Sequence, residues 1–132
     1  MIHFTTDKSV DLDLIIDLYE ESFIEIKRPT SSKDEMKSLF EHANLVVCAW
    51  DNSKLIGICR GFTDFSFVTY IADLAVTEKY RNKGIGKSLL DYAFNYSEKS
   101  KRLVLLSNES ANSYYKKLGF ERHNRAWILT RD

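Results

Sequence analysis

The residues best suited to chemistry lie together in one short segment, 81–87, which reads Arg-Asn-Lys-Gly-Ile-Gly-Lys. An apolar helical pattern begins inside it, at Ile85. The first turn of a helix has backbone N–H groups without partners and carries the positive end of the helix dipole. Glycines there let a diphosphate approach the backbone closely, and Arg81, Lys83 and Lys87 add positive charge. The segment therefore predicts an anion-binding site.

Two common nucleotide-binding motifs do not fit this segment. A Walker A loop ending at residues 86–88 would need a glycine where Arg81 stands. A dinucleotide-binding fingerprint starting at Gly84 would need its third glycine at Leu89. What remains is the pattern R/Q-x-x-G-x-G/A, carried by Arg81, Gly84 and Gly86. On the loop alone, a tight strand-to-helix turn with solvated basic side chains stays an alternative.

A second motif follows at residues 108–120, reading Asn-Glu-Ser-Ala-Asn-Ser-Tyr-Tyr-Lys-Lys-Leu-Gly-Phe. It fits the pattern N-x-x-A-x-x-x-Y-x-x-x-G-F at every fixed position. With the loop, and with the strand that ends at 74–76 before it, the chain resembles the GCN5-related N-acetyltransferases (GNAT superfamily). The resemblance implies an acyltransferase that carries acetyl from acetyl-CoA to a primary amine by direct attack in a ternary complex.

The resemblance also implies where acetyl-CoA lies. The strand ending at Val76 and the strand at 103–107 should part, with pantetheine in the gap and the pyrophosphate on the loop. The implied cofactor-binding residues are Leu74, Ala75, Val76, Arg81, Asn82, Lys83, Gly84, Ile85, Gly86, Lys87, Asn108 and Tyr115. No metal is expected, because the three histidines are far apart and match no ligand spacing.

Two residues are catalytic candidates. Tyr115 is the predicted general acid, since a phenol suits a departing thiol of similar acidity; a core tyrosine is the alternative. Asp73 is the candidate base through resemblance to glucosamine-phosphate and plant serotonin acetyltransferases, with a purely structural hydrogen bond as the alternative. Water-relayed deprotonation is the remaining route. Asn108 is expected to hold pantetheine or an ordered water.

The acceptor is predicted to be a small-molecule amine with an apolar or aromatic body. Residues 46–76 resemble small bacterial and plant serotonin (arylalkylamine) acetyltransferases. Aromatic side chains also crowd the expected acceptor side: Phe23, Phe62, Phe65, Phe67 and Tyr70. The alternatives are a protein lysine or N-terminal acetyltransferase, and a catalytically silent acyl-CoA-binding module; the presence of both Tyr115 and Asn108 speaks against the silent module.

Composition excludes several partners. The 132 residues carry 19 basic and 19 acidic side chains, so no nucleic-acid or anionic-membrane partner is expected. No signal peptide and no apolar stretch of roughly 18–20 residues is visible, which favours a cytoplasmic location. Cys48 and Cys59 are predicted to be buried, reduced thiols whose strand registers do not oppose each other. A homodimer is left open.

The elements that must position these residues predict one α/β domain, 1–132, with a single mixed sheet and helices packed against it. The predicted order is β-α-α-β-β-β-α-β-α-β-β, the acyl-CoA N-acyltransferase fold. Ser9 is a candidate cap of the first helix, and Ser32 with Glu35 forms a capping box before the second. The strand at 103–106 should be buried, and two strands near 120–123 and 126–130 should close the sheet.

Overall fold

The computed structural model describes residues 1–22 and 28–131, and it contains one mixed sheet with helices on both faces. The strands are β1 (Ile2–Thr5), β2 (Leu45–Asp51), β3 (Lys54–Thr63), β4 (Val68–Val76) and β5 (Arg102–Leu105). They lie in chain order; all neighbours are antiparallel except β4 and β5, which are parallel. The helices are α1 (Leu12–Glu21), α2 (Lys33–Glu41), α3 (Ile85–Tyr96) and α4 (Asn112–Lys117). The predicted α/β class with one mixed sheet is confirmed.

Alternation along the central strands builds one core on each face of the sheet. On β2, Val46 and Cys48 pack toward α1 and α2, whereas Val47 and Ala49 pack with Leu89 of α3. Both sets are buried, and so β2 reads as a continuous apolar run. The sheet is thereby fixed between two layers of helices, with its β4–β5 side left for the site.

The helix starts show one correct prediction and one error. Ser32 caps α2 as expected, since its Oγ accepts from the backbone N–H of Glu35 at 3.3 Å. Ser9 does not cap α1; it hydrogen-bonds to Asp7, and Asp11 is the cap, accepting from the N–H of Asp13. Phe23, predicted to lie on the acceptor side, is outside the described residues.

The two closing strands are not formed in the described part of the chain. Residues 120–123 and 126–130, on either side of a turn at 124–125, form neither helix nor paired strand. The strand β5 was expected to be buried, and this prediction is also wrong. Its residues Arg102 and Val104 are exposed and Leu103 and Leu105 half-buried, because the strand has a partner on the β4 side alone.

A β-bulge opens the sheet at the place where the strands part. Arg60 pairs with Asp73 and Gly61 with Ile71, which leaves Ala72 as an extra residue on β4. The pairing of β4 with β5 ends at Ile71 and Leu105. From Asp73 to Val76, β4 therefore pairs with β3 on one side and borders a cleft on the other.

Candidate active site

A cavity of about 650 Å³ fills this cleft. The carboxyl-terminal half of β4 forms one wall, the end of β5 with Ser107 and Asn108 another, and the 81–87 loop and α4 close the ends. Of the predicted cofactor-binding residues, those that line it are Leu74, Ala75, Val76, Arg81, Asn82, Gly84, Ile85, Gly86, Lys87, Asn108 and Tyr115. Lys83 does not line it; its ammonium lies over the ring of Tyr80, 5.4 Å from the centroid.

The loop is held in the conformation that an anion site requires. Asn82 and Gly84 have φ values of 60° and 79°, in the left-handed region, and α3 begins directly afterwards. Left-handed residues just before a helix N-terminus turn successive N–H groups toward one point. The loop is tied to the sheet by Tyr80, whose hydroxyl donates to Asp51 at 2.5 Å, and Lys87 pairs with Asp91 at 2.8 Å.

Gly86 has a second reason to be a glycine, which the sequence did not show. A Cβ at this position would lie 2.5 Å from the hydroxyl oxygen of Tyr114. Real Cβ atoms do not approach so closely, so Tyr114 occupies the space that a side chain would need. Tyr114 of α4 and the first turn of α3 thus meet across the cavity only because position 86 has no side chain.

We expect Gly84→Val and Gly86→Val each to weaken acetyl-CoA binding by at least about 2 kcal/mol, roughly 30-fold in Kd. At Gly84 the cause is backbone strain in the left-handed region. At Gly86 the cause is a side chain where the pyrophosphate must approach. Isothermal titration with acetyl-CoA measures both, and unchanged affinity in both variants would overturn the loop assignment.

Two matched variants separate these causes. Gly84→Asn should stay near wild-type affinity, because asparagine tolerates the left-handed conformation. Gly86→Ala in a Tyr114→Phe background loses the clashing hydroxyl, so it should regain normal stability. If the pyrophosphate lies against Gly86, this double variant should still bind acetyl-CoA weakly.

Tyr115 lines the cavity, with its side chain half-buried. Burial, with smaller contributions from Tyr114 and Cys59, raises the pKa of Tyr115 to about 12. Its ring packs edge-on against Phe120 at 5.5 Å. The phenol is therefore fixed in place and fully protonated at neutral pH, as a hydrogen-bond donor must be.

Asp73 lies at the bulge with both carboxylate oxygens occupied. Oδ1 accepts from Nε and Nη2 of Arg28 at 2.7 and 2.6 Å, and Oδ2 accepts from Nε of Arg60 at 2.6 Å. The hydroxyl of Tyr19 also donates to Oδ2, at 2.7 Å. Burial, and then the Asp73 charge, raise the pKa of Tyr19 well above its usual value, so this phenol stays a donor.

Arg28 extends this network to the backbone of the bulge. Its Nη2 donates to the carbonyl of Ala72 at 3.1 Å, so one guanidinium holds both the extra residue of β4 and the next carboxylate. The arrangement favours the structural alternative for Asp73. The residues that position the bulge come from α1, β3 and the 28–30 segment, which are distant in sequence.

The structure of residues 1–22 and 28–131 gives little support to catalysis by a cysteine or by a metal ion. Cys48 and Cys59 are buried and free, and pair with Ile58 and Val47 rather than with each other, as predicted. Burial raises the pKa of Cys48 to about 12 and that of Cys59 further, so neither is a thiolate nucleophile at neutral pH. In this part of the chain no group of His, Cys, Asp and Glu could hold a metal ion, and no helix is long and apolar enough to span a membrane.

Sequence reasoning missed several cavity residues. Tyr114, Leu106, Ser107 and Ser110 line the cavity beside the predicted set. The motif does not identify Tyr114, because the pattern fixes the tyrosine at position 115 and leaves position 114 variable. The sequence feature that could have indicated Tyr114 is a second large aromatic residue beside Tyr115 on the same short helix.

Comparison with known proteins gives concordant results. The model of the Acetyltransferase (GNAT) family matches residues 12–120. N-alpha-acetyltransferase 50 of Danio rerio is 33% identical over 103 residues, 70% of this chain and 61% of that protein. N-alpha-acetyltransferase 30 of Schizosaccharomyces pombe is 35% identical over 91 residues, 60% of this chain and 59% of that protein. The chain thus spans about three fifths of the length of these curated relatives.

The solved structures agree on the fold. A Staphylococcus aureus protein of unknown function, described as a probable acetyltransferase, superposes with a TM-score of 0.81 at 20% identity. The superposition covers 100% of both chains. This likeness confirms the predicted fold, while the acceptor that these proteins use says nothing directly about this chain.

Proposed function

The chain belongs to the GNAT acetyltransferase family, and on that premise we propose that it transfers acetyl from acetyl-CoA to a primary amine. The observation that carries the proposal is the cleft between β4 and β5. It brings a left-handed loop before a helix N-terminus, an open strand edge and a half-buried phenol to one cavity. Each of these three parts suits one part of acetyl-CoA.

In this proposal the cofactor is held mainly by backbone groups. The pantetheine amides pair with the free edge of Leu74–Val76, as an added strand would. The pyrophosphate lies on the loop amides of 82–87, with Arg81 and Lys87 adding charge. Asn108, at the end of β5, faces the pantetheine or a water beside it. The chemistry of acetyl-CoA is then confined to the bulge, where the two strands part.

The reaction itself needs few groups. The uncharged amine attacks the thioester carbonyl; a C–N bond forms and the C–S bond breaks. A backbone N–H near the bulge stabilises the oxyanion. Tyr115 donates its proton to the departing sulfur, and the proton of the attacking amine leaves through water, restoring the phenol from solvent.

We assign Asp73 a positioning role rather than that of the base. Its two oxygens already accept from Arg28, Arg60 and Tyr19, so no oxygen is left toward an incoming amine without breaking one of these bonds. What the carboxylate does is fix the bulge, and through it the backbone that meets the thioester. Deprotonation by water is the route that this leaves.

For the acceptor we propose the α-amine of a peptide whose first residue is apolar. The two curated relatives carry the name N-alpha-acetyltransferase. Phe62, Tyr70 and Val104 lie side by side and exposed on the α1–α2 face of the sheet, next to the bulge. The cations there, the half-buried Arg28 and the buried Arg60, are ion-paired with Asp73, so the region suits an apolar group better than a phosphate. The same surface supports the small apolar amine predicted from sequence as the second candidate.

The test is competition at equal concentration among five acceptors: a peptide with an apolar first residue, a lysine peptide with a blocked N-terminus, a tryptamine-like amine, a polyamine and an aminosugar phosphate. We expect the highest kcat/KM for the N-terminal peptide, with the tryptamine-like amine second. Preference for the aminosugar phosphate or the blocked lysine peptide would refute the acceptor and leave acetyl transfer intact.

A further inference from the structure

The phenol of Tyr114 is a cavity group that the proposed reaction does not use. It lines the cavity from α4, and the residue is 38% exposed. Its ring packs edge-on against that of Tyr115, with the centroids 5.2 Å apart, so the side chain is held in one direction. Within residues 1–22 and 28–131 its hydroxyl makes no hydrogen bond. An oriented donor of this kind is available to a ligand.

The hydroxyl reaches across the cavity to the end of the 81–87 loop. Its oxygen lies 2.5 Å from the place where a Cβ of Gly86 would stand. Because the Cα–Cβ bond in a helix tilts toward the N-terminus, the hydroxyl lies beside the beginning of α3. The first intrahelical bond of α3 runs from the N–H of Ser88 to the carbonyl of Gly84, so the N–H groups of residues 85–87 have no helical partner. Hydroxyl and amides therefore border the same space, from α4 and from α3.

The phenol enters this space as a neutral donor. Burial raises the pKa of Tyr114; the charge of Asp91 raises it further, and that of Lys87 lowers it. The hydroxyl is therefore protonated at neutral pH. Lys87, the cation of the same helical turn, is already paired with Asp91 at 2.8 Å. The phenol thus supplies a directed donor where the neighbouring positive charge is shared with a carboxylate.

A diphosphate is the ligand chemistry that fits donors on two sides. The loop amides donate from the α3 side alone, whereas a diphosphate also has oxygens that point away from the loop. Tyr114 borders the cavity opposite the loop, on the side that these oxygens would face. A hydrogen bond from a neutral phenol to a phosphate oxygen is charge-assisted, and so stronger than one between neutral groups.

We propose that the hydroxyl of Tyr114 donates to the diphosphate of acetyl-CoA and so closes the phosphate site from the α4 side. The inference rests on the proposed function, which places the diphosphate on the 81–87 loop. It adds one side-chain donor to a site otherwise built from backbone amides and cations. It also gives Tyr114 a task different from that of Tyr115, since the one binds the cofactor and the other protonates the departing sulfur.

The test removes the hydroxyl and keeps the ring. Tyr114→Phe should weaken the binding of CoA by roughly 10-fold in Kd, as measured by isothermal titration. Dephospho-CoA, which lacks only the phosphate on the ribose, should lose the same factor. Affinity for pantetheine, which has no diphosphate, should stay unchanged in an NMR titration. Tyr96→Phe, at an exposed tyrosine of α3 outside the cavity, is the matched control and should bind all three ligands like wild type.

Phosphorus NMR gives a second readout that does not depend on affinity. With CoA fully bound, the diphosphate resonances should differ between wild type and Tyr114→Phe, while the resonance of the ribose phosphate should stay in place. Because Tyr114→Phe is itself expected to bind weakly, the double variant with Gly86→Ala is compared with this variant and not with wild type.

Three results would overturn the inference. Unchanged affinity for CoA in Tyr114→Phe would mean that the hydroxyl contacts no part of the cofactor. An equal loss for pantetheine would place the hydroxyl on the pantetheine arm. A loss for CoA that dephospho-CoA does not share would place it on the ribose phosphate. A wild-type chain that binds none of the three ligands would refute the acetyl-CoA site itself, and the proposed function together with this inference.

Discussion

Replacing Tyr115 by phenylalanine should lower kcat by about 10–10³-fold and leave acetyl-CoA affinity within a few-fold. The change removes one hydroxyl and keeps the ring that packs on Phe120, so the cavity should keep its shape. What is lost is the donor to the departing thiolate. Steady-state thiol release gives kcat, and isothermal titration gives the affinity for acetyl-CoA.

The raised pKa of Tyr115 also determines the pH dependence expected of wild type. Because burial raises the pKa of Tyr115 to about 12, the phenol stays protonated as pH rises, and its loss of a proton should not reduce kcat below about pH 10. On the acidic side of the profile, kcat should still rise with pH, because the attacking amine must lose its proton. Tyr92→Phe, at a tyrosine of α3 outside the cavity, is the control. An unchanged kcat in Tyr115→Phe would mean that Tyr115 is a structural core tyrosine and not the general acid.

Replacing Asp73 by asparagine should lower the free energy of unfolding by about 3–5 kcal/mol. The carboxylate is buried between two guanidinium groups, at 2.6 Å from each of Arg28 and Arg60. Removing its charge leaves the buried Arg60 cation uncompensated. The expected loss is a large part of the stability of a domain of this size, and urea unfolding measures it.

The matched control is Asp91→Asn, which breaks the exposed Lys87–Asp91 pair of similar distance, 2.8 Å. Solvent screens such a pair, so the change should cost less than about 0.5 kcal/mol. The account of Asp73 would be contradicted by a variant as stable as wild type that has lost kcat and the acidic limb of its pH profile. That result would make Asp73 the base.

The site could be predicted from sequence where its parts are local. The loop at 81–87 depends on glycines, helix start and charge within seven residues, and all but Lys83 line the cavity. The same holds for the Ser32 cap of α2. In each case neighbouring residues decide the conformation.

The remainder depends on contacts between distant residues. No pattern near Asp73 shows that Arg28, 45 positions earlier, donates to both its carboxylate and the bulge carbonyl. Likewise the contact of Gly86 with Tyr114 joins two helices. The segment 126–130 has the apolar composition of a strand, but composition states only that a segment can pair, and not with which edge.

The central claim, acetyl transfer to a primary amine, is tested most directly by thiol release from acetyl-CoA with and without acceptor. Mass spectrometry of the product accompanies it. The account predicts slow release without amine and saturable, amine-dependent release with it, with one acetyl group on the acceptor for each thiol formed. Tight binding of acetyl-CoA with no amine-dependent release across the five acceptors would contradict it, and would make the chain an acyl-CoA-binding module.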